Sequence, residues 1–456
     1  MAVTSTRHIL GSVLVVSALA VGGCGGASPP AGPSLRLPNP TVRAVTPTPL
    51  AIGAPVTSVT PNAVPQLPAP VPGALGYGPP PWVQPGMRLS YYGAAASIAQ
   101  DYYTYVEDEN GDWQDPKTGK RYRRTDHGSN GDPGQDMPTA AGEAYTQTDV
   151  LAIEGTDVVV SNSLYSIDLL SRQLALTPLG GSRTTGAAID GGWVNPDLLR
   201  GLQTSGYGDQ MILRGSYSLN GVTYDAVSFV GTASGAYQDS TYDLATGVLL
   251  ATNTSTRGQD SPLHGPLDNP QGNVQLSLTR FVGVRQRSMP GMGAALPGWV
   301  TAMPTLTYSG TYTIVNALDP MNGRFTYPME LSISFGSGGR TWAPFTSQTV
   351  IQVAGFQPTQ ATGVSGPTGL YWYDPTALAT LTPGQVIDDD AVTGARTSVE
   401  SVSPGASGGV VGVVTAMNGV TVRAGYDRAG GCLVSLQVVQ AVTYSTIDLQ
   451  LTAGPG

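Results

Sequence analysis

The chain has 456 residues, of which only 12% are charged, and a net charge of −9. That length is enough for two or three domains, and the acidic balance excludes nucleic acid and an anionic membrane surface as electrostatic partners. Lysine is nearly absent (Lys117 and Lys120 only), so arginine carries the positive charge.

The first segment reads as an address. Arg7 is followed by an apolar run from Ile9 to Ala20 and then by Val21-Gly22-Gly23-Cys24. An apolar stretch of about a dozen residues suits a signal-peptide core and falls short of the roughly 20 residues that span a bilayer. The pattern resembles the lipobox of bacterial lipoproteins, over the first two dozen residues. That resemblance implies a leader over 1–23, a Cys24 that carries diacyl lipid (and palmitate), and a membrane partner reached through that lipid. It also implies a place in the bacterial cell envelope, facing periplasm or cell surface. Gly25 stands where an inner-membrane retention signal has aspartate, which favours the outer membrane of a host that has one. With Cys24 lipidated, Cys432 has no partner in the chain. It lies in the strand-like run Gly431-Cys432-Leu433-Val434 and is expected to be buried as a small apolar side chain.

From 24 to 79 the chain reads as a Pro-rich disordered tether. The stretch from Ala27 to Pro85 holds 17 of the 37 prolines and shows no helical or strand period. Proline withholds an N–H and fixes φ, so such a stretch stays extended and solvated. Fully stretched, about 55 residues at roughly 3 Å each would reach on the order of 150 Å.

The remainder is an internal duplication. Pro80-x-Trp82-Val83, Leu89-Ser90-Tyr91 and Gly93 recur as Pro297-x-Trp299-Val300, Leu306-Thr307-Tyr308 and Gly310 at the same spacing. Trp193-Val-Asn195-Pro196 with Leu199 and Leu202 recurs as Trp372-Tyr-Asp374-Pro375 with Leu378 and Leu381. Tyr242-Asp243-Leu-Ala245-Thr-Gly247-Val-Leu249 recurs as Tyr426-Asp427-Arg-Ala429-Gly-Gly431-Cys-Leu433, and each copy closes on an alternating strand, 274–279 and 447–452. A period of roughly 180 residues is too long for a solenoid and describes two domains. We place them at 80–290 and 295–456, joined by Ser288–Pro297. Asn195-Pro196 and Asp374-Pro375 predict short helices, with Asx at the N-cap and proline at the first helical position. Trp193 and Trp372 are expected to anchor those helices. The Tyr-Asp-x-Ala-x-Gly blocks predict a strand, a turn with glycine at positive φ, and a return strand. Elsewhere the chain alternates short Val/Ile/Tyr/Thr runs with turns such as Leu219-Asn-Gly-Val222, and no helical period lasts beyond about three turns. The fold class is therefore mainly β: two tandem homologous antiparallel β-sheet or half-barrel domains, each with one or two short helices.

That order of elements, carried by Tyr242–Leu249 and Tyr426–Leu433, resembles the LolA/LolB-type half-barrel of bacterial lipoprotein carriers. The resemblance covers a minor part of each copy and includes no binding residue that could be carried over. It implies that one face of each sheet holds acyl chains; separately, the aromatics of the repeated blocks, Trp193, Trp372, Tyr242 and Tyr426, are the candidate ligand-binding residues.

Other constellations carry chemistry less well. Gly405-Ala406-Ser407-Gly408-Gly409 fits the nucleophile-elbow spacing, but an elbow hydrolase needs a histidine after its serine; after the leader only His127 and His264 occur, both upstream. A glycine loop before strand 410–414 is the preferred reading. The first copy carries a polar insertion near 100–139 that the second lacks. In it Asp108, Asn110 and Asp112 match the first ligand positions of a calcium loop, yet Trp113 stands where that loop needs glycine; a solvated acidic turn is preferred to a metal site. Asp388-Asp389-Asp390 opens a hairpin turn ending at Gly394, with a cation site as the alternative. No cofactor is expected. The reading is an envelope-anchored, non-catalytic binding module: each curved sheet holds an apolar or lipid ligand, or the cleft between the copies holds a glycan or a protein. A glycan or an envelope protein is the other partner considered. The alternative is a structural or interaction protein without a small ligand, and a serine hydrolase at Ser407 comes third.

Overall fold

A computed structural model describes residues 65–71, 78–99, 106–107, 113–114, 121–122, 137–168, 171–189, 191–207, 210–233, 236–257, 274–302, 304–315, 323–353, 356–367, 369–404 and 408–454. Among them two ten-stranded antiparallel sheets dominate, one per copy. We number only their strands. Sheet one comprises β1 (Met87–Ala99), β2 (Met137–Glu154), β3 (Asp157–Ile167), β4 (Leu174–Thr185), β5 (Ser205–Tyr207), β6 (Gln210–Leu219), β7 (Val222–Ala233), β8 (Ala236–Asp243), β9 (Leu249–Arg257) and β10 (Val274–Gln286). Sheet two comprises β11 (Thr305–Val315), β12 (Arg324–Phe335), β13 (Ala343–Ile351), β14 (Thr359–Ser365), β15 (Val386–Asp390), β16 (Ala395–Ser403), β17 (Val410–Met417), β18 (Val420–Asp427), β19 (Leu433–Gln440) and β20 (Ser445–Ala453).

The spatial order is β5-β6-β7-β8-β9-β10-β1-β2-β3-β4 in sheet one and β15-β16-β17-β18-β19-β20-β11-β12-β13-β14 in sheet two. Strand n of the first copy thus occupies the place of strand n + 10 in the second. Each sheet is two meanders joined where the copy's first strand pairs with its last. The connection from fourth to fifth strand must therefore return across the sheet, and it carries the short helix over one face. These helices are α1 (Pro196–Arg200) and α3 (Pro375–Thr380); a single turn, α2 (Gly298–Thr301), opens the second copy. Asn195 and Asp374 cap α1 and α3 by accepting from the N–H groups of Asp197 and Ala377, which satisfies donors that a helix start leaves open.

The register repeats in detail. A β-bulge falls between Ser90 and Tyr91 on β1 and between Thr307 and Tyr308 on β11; another falls between Thr241 and Tyr242 on β8 and between Gly425 and Tyr426 on β18. Gly247 and Gly431 have φ of 80° and 73°. A Cβ at either would sit 2.0 Å from the backbone oxygen of Val194 or Tyr373, so only glycine fits there. The Leu219–Val222 hairpin has both central residues at positive φ, Asn220 at 52° and Gly221 at 85°, as a type I′ turn requires.

Each sheet buries its helix-covered face in side chains. Trp193 and Trp372 are fully buried at the two centres, with Leu199, Val227 and Leu249 in one core and Leu378, Ile333 and Leu433 in the other. Burying an indole removes about 150–250 Å² from water, worth on the order of 5 kcal/mol. Tyr242 and Tyr426 also belong to these cores. Cys432 is buried, and burial together with Asp427 pushes its thiol up to about 12.

The first unit takes in part of the stretch assigned to the tether. Val71 is buried in the first core, its N–H donates to Ala245 O, and its carbonyl accepts from Arg200. Ser288–Pro297 is likewise docked: Ser288 N donates to Asp388 and Leu296 N to Arg340 O. In the insertion, Val106–Glu107, Trp113–Gln114 and Arg121–Tyr122 form a small three-stranded sheet. Among the described residues, no helix is long and apolar enough to cross a membrane.

Candidate functional site

The two sheets meet along β4, an edge strand of sheet one. An edge presents unpaired backbone groups, and here sheet two supplies partners: Leu174 N donates to Asn418 O and Leu176 N to Gln440 Oε1. Glycines permit the close approach. A Cβ at Gly181 would sit 2.4 Å from the Val364 side chain, and one at Gly419 would sit 2.7 Å from Gln173. Tyr92, Tyr145, Tyr165 and Leu174 pack with Val420 of sheet two, and Leu151 and Val159 pack with Trp342.

Beside this seam lies a charged clamp. Arg285, Arg88 and Asp149 stand in one row across β10, β1 and β2. Two neighbouring arginines repel, and the Asp388–Asp390 segment of sheet two answers them. Arg285 grips Asp388 with two hydrogen bonds, 2.8 and 2.7 Å. Asp390, 1% exposed at its side chain, accepts from Arg88 at 3.2 Å and from Gln147 at 2.6 Å. Asp149 accepts from Arg88 at 2.6 and 2.8 Å and from Arg287 at 3.0 Å. Three guanidinium groups thus face three carboxylates. Burial alone would raise the Asp149 carboxyl, but Arg287 and Arg88 outweigh it and hold it at about 2. Asp388 is lowered against the same burial by Arg285, Ser288 N and Arg287. Burial lowers Arg287, which also feels Arg88 and Arg285. The aspartate triplet therefore serves as hairpin turn and docking pin together: Thr393 and Val392 N also donate to Asp390. The signal present in the sequence was Arg285-x-Arg287, two charges on one strand face of a chain poor in charge.

Next to the clamp the sheets enclose two adjoining compartments. The first, about 270 Å³, lies between β2–β4 and β13, β14, β18 and β19. Leu151, Tyr165, Phe345, Val364, Tyr371 and Val438 are among its walls. The second, about 200 Å³, is bounded by Tyr373, Tyr426, Val413, Ala424 and the clamp residues Arg88, Asp388 and Asp390. Tyr165, Leu176, Arg287, Gly369, Leu370 and Val422 belong to both. The first wall is mostly apolar and the second mixed, and in residues of these walls Ser365 Oγ, Tyr373 Oη and Arg287 Nε are buried without a hydrogen-bond partner. Buried polar atoms are ordinarily paired.

Gly366, Gly369, Leu370 and Tyr371 line this space. In the first copy the equivalent segment closes on itself: Ala188 and Ile189 pair with Val194 and Trp193, and Trp193 Nε1 donates to Gly186 O at 2.9 Å. Pro367 stands where Ala188 pairs, and proline has no N–H to give a ladder. Among the described residues the second copy makes no such pair there, and Trp372 Nε1 is buried without a hydrogen-bond partner. Leu370 and Tyr371 instead reach the cavity walls, Tyr371 edge-on to Phe345 with centroids 5.0 Å apart.

Of the candidate residues, Trp193, Trp372 and Tyr242 sit in the sheet cores, and only Tyr426 reaches a cavity wall, where its hydroxyl donates to Leu370 O at 3.2 Å. Among the described residues these side chains fill the helix-covered face of each sheet, and two open compartments lie between the copies. Cys24, Asp108, Asn110, Asp112, Ser407, His127 and His264 lie outside the described residues. Comparisons with protein families, with curated proteins and with solved structures find no match for this chain.

Proposed function

We propose that this is a lipid-anchored envelope protein acting as a non-catalytic binding module, whose ligand site is the cavity between its two sheets. The anchor rests on the Cys24 lipobox pattern. The site rests on one observation: two adjoining compartments between the sheets, the larger of them mostly apolar. Ligand sites are concave and largely apolar with a few placed polar groups. An interaction protein without a small ligand would expose an apolar patch between domains. Among the described residues four large apolar side chains are exposed, Leu198, Phe325, Val386 and Tyr444, and of these none lines the compartments between the sheets.

The test uses the mature chain without its leader and the neutral probe N-phenyl-1-naphthylamine. Saturable fluorescence enhancement is expected, and Ala361→Phe, which fills the first compartment from β14, is expected to abolish it while leaving the circular dichroism spectrum unchanged. Absence of saturable binding, or full binding by Ala361→Phe, would refute the site.

A further inference from the structure

In the first copy a proline-rich segment closes the turn beside the opening tryptophan. Val71 N donates to Ala245 O at 2.9 Å, and Trp82 Nε1 donates to the next carbonyl, Thr246 O, at 2.8 Å. Arg200, near the end of α1, donates to Val71 O. Leu67 and Val71 pack into the same core as Trp82. In the second copy Trp299 Nε1 makes the matching bond to Gly430 O, but among the described residues no N–H reaches Ala429 O, the counterpart of Ala245 O. Trp82, Asp243 and Thr246 are 9%, 3% and 2% exposed, whereas their counterparts Trp299, Asp427 and Gly430 are only half-buried. A donor for a peptide carbonyl is present there too. Ala379 stands at the place of Arg200, and Arg428 brings its guanidinium to that place from the turn, 2.6 Å from Ala379 O.

We infer that this open place is a second docking groove for the chain's own proline-rich stretch, and that its occupant is the segment 47–50. The segment that closes the first copy reads Pro68-Ala69-Pro70-Val71, and Pro47-Thr48-Pro49-Leu50 repeats its order of proline, small residue, proline and aliphatic residue. Pro38-Asn39-Pro40, by contrast, is followed by threonine. Proline holds such a segment extended before it docks, and grooves with an aromatic wall, here Trp299, suit its rings. Leu50 keeps an N–H to give Ala429 O, as Val71 gives one to Ala245 O. The reach is sufficient. Gly86, four residues past Trp82, lies against Met292, and Gly291 lies against Asp374 and Ala377 of α3. Those steps put the two places roughly 40 Å apart at most. The 15 residue steps from Leu50 to Pro65 span about 45 Å when extended.

The experiment is disulfide closure in the mature chain carrying Cys24→Ser, under mild oxidation and resolved by mass spectrometry. Val71→Cys with Ala245→Cys, the contact present in the first copy, sets the reference. Leu50→Cys with Ala429→Cys is expected to close within one molecule at least about tenfold faster than either of two controls, a factor expected of a docked over a merely tethered thiol. The controls are Ala44→Cys with Ala429→Cys, four-plus residues off the docking position, and Leu50→Cys with Ala245→Cys, a place Val71 already fills. An excess of a synthetic peptide spanning 45–52 should slow the closure by competing for the groove. Equal rates for the test pair and the controls, no slowing by the peptide, or linkage only between molecules would each overturn the inference.

Discussion

The two copies share a frame and, besides the insertion near 100–139, differ in the segment before the central tryptophan. Trp82 Nε1 donates to Thr246 O and Trp299 Nε1 to Gly430 O, both at 2.8 Å, at equivalent positions. The Asp243 turn and the Asp427 turn repeat their main bond, with Thr246 N and Gly430 N on the carboxylates at 2.7 and 2.6 Å, and only Thr246 adds a hydroxyl bond. Against this sameness, 187–192 seals the first core while 366–371 faces the partner sheet. The lesson is that a duplicated scaffold can keep its strands, bulges and turns while one proline-bearing segment in one copy opens space at the junction.

Breaking the junction should have the largest effect. Asp390→Ala would take one acceptor from both Arg88 and Gln147 and leave three guanidinium groups facing two carboxylates, at a cost of about 3–5 kcal/mol, read as a shift in denaturant midpoint. The equivalence of the copies is tested next by Gly247→Ala and Gly431→Ala. Each places a Cβ against a carbonyl at positive φ, and each is expected to cost about 2–4 kcal/mol; a marked difference between the two would break the equivalence. Acid should loosen the clamp. The Asp149 pKa in the fold, about 2, lies below its ordinary value of 3.8, so its contribution is complete above pH 4. It is lost as pH falls toward 2, about 2 kcal/mol in all. Asp149→Asn should flatten that acid limb in pH-dependent melting. The smallest effect separates the tryptophans: Trp193→Phe should cost about 1 kcal/mol more than Trp372→Phe, because only Trp193 Nε1 has an acceptor to lose.

Much of the architecture was readable because it obeys local rules. Asx-Pro helix starts, the Asn220-Gly221 turn and the glycine of each Tyr-Asp block are fixed by backbone sterics within a few residues. Strand order was not readable, since pairing Leu89 with Val284 depends on contacts across the whole copy. The Asp388–Asp390 segment was read for its turn, while its partners Arg88, Arg285 and Arg287 lie on another sheet. The cavity was less legible still. It follows from Pro367 standing at Ala188's place, a difference visible only once the copies are aligned segment by segment in space.

Photo-crosslinking tests the central claim most directly. A diazirine-bearing monoacylglycerol, irradiated with the mature protein and mapped by mass spectrometry, should label Leu370, Tyr371, Val422 or Val438 on the walls between the sheets. Labels confined to residues around Trp193 and Trp372, or scattered without saturation, would contradict it.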